Sequence, residues 1–118
     1  MGKKTIKVNV PYEVGEAYKK IKDSIDYPKL LHDKYAMEEF LKEKQKINLA
    51  LSIESHSSIA YIKRDSNLKV YLNDDIIEEL NKAAKEYGLT RNTLMIQAIM
   101  NYCNKMGEKI GQEFSWNF

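Results

Sequence analysis

A chain of 118 residues, 43% hydrophobic and 31% charged, has room for one ordinary domain or two very small units sharing a core, and its composition excludes wholesale disorder. The net charge of +2 argues neither for nor against nucleic acid, because residues 1–65 hold 13 Lys/Arg against 10 Asp/Glu and residues 66–118 hold 6 against 7. The single cysteine, Cys103, excludes an intrachain disulfide, and no apolar run approaches the roughly 18 to 20 residues of a membrane span or the core of a signal peptide, so a soluble, cytoplasmic protein is expected.

In chain order, Ile6, Val8 and Val10 alternate with Thr5, Lys7 and Asn9, the pattern of a half-buried strand. Pro11 follows, and Val14, Ala17, Tyr18, Ile21 and Ile25 mark an amphipathic helix. Asp26, Tyr27 and Pro28 break it, and residues 30–41 predict another helix. Next, Ile47, Leu49, Leu51 and Ile53 alternate, residues 55–58 have turn composition and residues 59–62 suggest a further strand, together a hairpin-like connection.

The clearest segment comes second. Leu68, Val70 and Leu72 alternate with Asn67, Lys69 and Tyr71; Asn73 is placed to cap a helix whose first turn carries Asp74 and Asp75. Ile76, Ile77, Leu80, Ala83, Ala84 and Tyr87 give that helix an apolar face, and Gly88 stops it. Thr90 caps a second helix over 91–104 that is apolar over most of its circumference. A helix of that kind cannot face water in a unit of some 38 residues, so a second copy must complete the core, either another chain or the similar segment at the N-terminus. The last stretch, with Phe114, Trp116 and Phe118, is either a floppy end or a docking segment. The organisation expected is therefore an N-terminal strand-helix-helix unit (1–45), a connection (46–65), a second such unit (66–106) and a tail (107–118).

No residues point to catalysis, a metal or a cofactor. His32 and His56 lie 24 positions apart without metal-ligand spacing and are expected to face solvent. The glycines form no phosphate loop, and the acids Asp74, Asp75, Glu78 and Glu79 fit helix capping and solvated charge. A non-enzymatic protein is expected.

The ordered combination of Asn67 to Asn73, a helix ending at Tyr87-Gly88, and Leu89-Thr90-Arg91-Asn92-Thr93-Leu94 opening a second helix resembles the ribbon-helix-helix family of DNA-binding proteins, the Arc and MetJ type. The resemblance covers about a third of the chain, residues 66–104, with a weaker counterpart in 4–42. It implies a mainly α fold with a short antiparallel β-ribbon, formed in tandem within one chain or between chains of a homo-dimer or higher oligomer. It further implies that the ribbon enters the major groove of double-stranded DNA, with Asn67, Lys69 and Tyr71 on base edges and Thr5, Lys7 and Asn9 as a second reading strand. Thr90, Arg91 and Asn92 would meet phosphate at the helix N-terminus. The function expected is that of a transcriptional repressor or a plasmid or phage accessory factor. Alternatives are a partition or relaxosome adaptor that recruits a protein, for instance through the C-terminal tail, and an antitoxin or interaction module without DNA readout.

Overall fold

Alternating burial produces two strands, β1 (Lys3–Val10) and β2 (Ser66–Asn73), in a computed structural model that describes residues 3–43 and 46–118. The expected N-terminal unit extends to residues 1–2 and 44–45, which lie outside the described residues. Among the described residues β1 and β2 are the only strands, and they pair antiparallel within the chain, with Lys7 opposite Lys69 at the centre of the register. Val8, Val10, Leu68, Val70 and Leu72 point into the core and Ile6 is half-buried, so one face of the ribbon is apolar and the other polar.

Helices make up the rest of the regular structure among the described residues: α1 (Tyr12–Ser24), α2 (Lys29–Glu43), the short α3 (Leu49–Ser52), α4 (Asp74–Tyr87) and α5 (Arg91–Lys109). The protein is thus mainly helical with one two-stranded antiparallel ribbon. The order strand, helix, helix occurs twice: Tyr12 and Asp74 open the first helix of each half 62 residues apart, and Lys29 and Arg91 open the second at the same separation.

Local chemistry sets several boundaries. Gly88 ends α4 with φ of 70°, a left-handed conformation that costs glycine nothing, and its N–H returns to the Ala84 and Lys85 carbonyls. Thr90 starts α5 by accepting a hydrogen bond from the Thr93 N–H. Asn73 occupies the cap position of α4 without a side-chain cap bond, leaving the Asp74 and Asp75 carboxylates to complement the helix dipole. At its other end α5 runs to Lys109 rather than stopping near 104, because Met106 and Gly107 are still buried.

The connection differs from the expected hairpin. Alternation at 47–53 predicted a strand, but the Asn48 side chain accepts from the Ala50 N–H and starts the single turn of α3, which buries Leu51 and leaves Leu49 84% exposed. Ile59 projects fully into solvent, and residues 59–62 form no strand.

The core is one cluster drawn from both halves, with α5 packed against α1, α2, α4 and β1. It includes Ile99, fully buried as its helical phase required. Burial pushes the Cys103 thiol up to about 12. His32 corrects an expectation: it is fully buried, not solvent-facing, because it occupies an inward position of α2. Its Nε2–H donates to the Ile25 carbonyl at 3.1 Å, and its Nδ1 hydrogen-bonds with the Tyr102 hydroxyl at 2.6 Å. His56 is exposed.

The tail packs back onto its own chain. Phe114, Trp116 and Phe118 are half-buried against the core, alternating with exposed Glu113, Ser115 and Asn117. Asn117 donates from its backbone N–H and its side-chain amide to the Glu13 carboxylate at the start of α1. No helix among the described residues is long and apolar enough to cross a membrane.

Candidate nucleic-acid interface

The polar face of the ribbon includes three cross-strand pairs, Thr5 with Tyr71, Lys7 with Lys69 and Asn9 with Asn67. All six side chains are exposed except Tyr71, which is half-buried. This face carries no acid, and among the described residues neither Lys7 nor Lys69 has an ion-pair partner. The six residues singled out for base contacts are therefore contiguous.

The ribbon's outer edges are held by helix side chains. On β2, Asp33 of α2 accepts from the Tyr71 N–H at 3.0 Å through Oδ2. On β1, the Asn92 amide of α5 accepts from the Asn9 N–H and donates to the Asn9 carbonyl, both at 2.9 Å. Main-chain groups at these positions thus point away from the partner strand, which makes the three polar pairs the non-hydrogen-bonded, more closely spaced kind. Two lysines without ion-pair partners thus stand directly opposite each other at the centre, a like-charge pairing that disfavours the free protein.

Asp33 is itself fully buried, accepting from the Tyr18 hydroxyl at 2.5 Å and meeting Lys22 Nζ at 3.0 Å. Burial, followed by the Asp33 charge and hydrogen bond, pushes the Tyr18 hydroxyl well above its ordinary range. Lys19, Lys22 and Asp23 of α1 line one hollow with Asn67, Lys69 and Tyr71, where Lys22 is paired with Asp33 and Lys19 with Glu16.

At the N-terminus of α5 the three residues assigned to phosphate have different surroundings. The Thr90 N–H and hydroxyl, with the Thr93 hydroxyl, converge on Glu54 Oε1 at 2.8 to 3.1 Å. Asn92 clamps the edge of β1, as described. Arg91, half-buried, donates to the Asn81 side chain at 3.3 Å. An internal carboxylate therefore sits where a phosphate oxygen was expected. Although burial pushes its pKa up, the hydrogen bonds from Thr90 and Thr93 and the nearby Arg64 charge hold Glu54 below the ordinary glutamate value. Arg64 completes the arrangement, donating to the Thr93 hydroxyl at 3.1 Å and the Leu51 carbonyl at 2.8 Å.

Sequence reasoning missed Glu54, Arg64, Lys19, Lys22 and Asp33. Glu54 is 36 residues from Thr90, at the end of an alternating stretch that suggested a strand, so no local signal marked it as a partner of the α5 N-terminus. Lys19 and Lys22 read as the solvated side of an amphipathic helix. Among the described residues no group of His, Cys, Asp and Glu is arranged to hold a metal. Comparison with family models, with curated proteins and with solved structures returns no match.

Proposed function

We propose that this chain is a sequence-specific double-stranded DNA-binding protein that reads the major groove with β1 and β2, as a tandem ribbon-helix-helix unit built within one chain. Its role would be that of a repressor or a plasmid or phage accessory factor. The observation that carries the proposal is the acid-free ribbon face, with Lys7 set directly against Lys69 between Thr5/Tyr71 and Asn9/Asn67. A closely spaced lysine pair without counter-ions is unfavourable in the free protein and becomes favourable beside an anionic partner. A two-stranded ribbon fits the major groove, where lysine donates to guanine O6 and N7 and asparagine bonds adenine in bidentate fashion. Exposed Lys19, paired only with Glu16 one turn away in its own helix, and Arg91 at the start of α5 are suited to backbone phosphates.

The test begins by selecting bound sequences from a random duplex pool, then compares two variants on the selected site by fluorescence anisotropy. Lys69→Ala is expected to lose roughly 1 to 3 kcal/mol on the selected site and to narrow the gap to random DNA. Arg91→Ala is expected to weaken all duplexes about equally, with a shallower salt dependence. Parent-like binding by both folded variants, or no salt-sensitive binding by the parent, refutes the proposal.

A further inference from the structure

A second surface, independent of the ribbon, has the features of a peptide-binding groove. Between α2 and α4 lies a groove of about 530 Å³ with Tyr35, Leu41 and Ile76 among its lining. The repeat of elements gives it a counterpart on the other side of the molecule, between α5 and α1, where Glu13 and Val14 stand 62 residues before Asp75 and Ile76. The chain's own tail docks on these two helices. Asn117 binds Glu13, Val14 is fully buried, and Phe114 lies over Gly107 so closely that a Cβ there would meet the Gln112 carbonyl oxygen at 2.5 Å and the Phe114 ring at 3.1 Å. The tail is thus a segment with half-buried aromatic side chains at alternate positions, held by donors to an acid at the start of a helix.

The α2/α4 groove has an apolar floor and the equivalent acid, Asp75, and a strongly acidic rim. Four carboxylates, Glu38, Glu39, Asp75 and Glu79, line it against one ammonium, Lys42. Glu39 is taken up by Lys105 at 3.2 Å and Glu79 reaches Lys82 at 4.0 Å, whereas among the described residues Glu38 and Asp75 have no ion-pair partner. Residues 113–118, Glu-Phe-Ser-Trp-Asn-Phe, carry an acid and no base, so the tail of a second copy is mismatched to this rim. We propose that the groove between α2 and α4 docks an extended segment of a different protein, one with aromatic or apolar anchors at alternate positions and lysine or arginine between them. The apolar floor supplies affinity, and the acidic rim selects basic over acidic segments.

The experiment is a titration of the full-length, isotope-labelled protein, followed by amide chemical shifts, with two peptides: acetyl-Lys-Phe-Lys-Trp-Lys-Phe-amide and a peptide of residues 113–118. The basic peptide is expected to shift Leu41, Asp75 and Ile76 saturably, and the tail peptide to bind about tenfold weaker or worse. In the double variant Asp75→Lys, Glu79→Lys, whose sites are solvent-exposed and whose melting is checked alongside, those shifts are expected to vanish. Shifts absent from these residues, unchanged in the folded double variant, or equally strong with the tail peptide overturn the proposal, the last in favour of a second copy. Because ribbon residues take no part, loss of DNA binding and loss of peptide binding are read separately.

Discussion

Glu54 at the head of α5 does the work of a capping group from 36 residues away, and its protonation is coupled to folding. Its folded pKa lies below the unfolded value, so the stability it contributes is present in full above the ordinary carboxylate range and is lost as pH falls through the folded pKa. Glu54→Gln is therefore expected to melt below the parent at pH 7, with the gap closing as the solution is acidified to about pH 3. Thermal melts of both proteins across that range check it, and a constant gap would mean that the carboxylate charge is not what matters. The same substitution removes a negative charge from a helix N-terminus suited to phosphate, so under the proposed function it strengthens rather than weakens duplex binding.

At the scale of the element, the ribbon shows an opposition between stability and binding. Lys7 and Lys69 face each other on the more closely spaced type of pair, and like charges so placed are destabilising. Lys7→Glu converts the pair to opposite charges and is expected to raise stability by about 0.2 to 1 kcal/mol, measured by denaturant unfolding. On the proposed function the same variant loses duplex binding, since a carboxylate then points at the groove. A variant both less stable and fully competent for DNA would show that this pair is neither strained nor at the interface. The α5 helix presents the complementary case: apolar nearly all round, it is enclosed by α1, α2, α4 and β1, and the missing core foreseen for it is supplied by the N-terminal half of the same chain.

At the scale of the molecule, closure of the ribbon within one chain removes the need for a second copy to complete either sheet or core. The melting temperature is accordingly expected to be independent of protein concentration over about a hundredfold range, because mass action stabilises only folds that require association. Concentration-dependent melting would mean that oligomerisation is coupled to folding. The two halves are also interlocked: α2 of the first half holds the edge of β2, and α5 of the second holds the edge of β1 through Asn92 and Asn9, 83 residues apart.

Features governed by near neighbours were legible in the residues alone. Alternation defined both strands and the inward and outward set on each, a glycine and a threonine marked the α4/α5 junction, and the all-round apolar α5 required a second strand-helix-helix unit, because periodicity, φ and capping are decided within a few residues. What only the tertiary structure decided depends on contacts between residues far apart in sequence. It set the cross-strand register that places Lys7 on Lys69, the burial of His32 against Tyr102, the occupation of the α5 N-terminus by Glu54, and the docking of the tail on Glu13. None of these leaves a local pattern, since a polar side chain in an irregular segment or on a helix face looks the same in sequence whether water or a distant backbone group satisfies it.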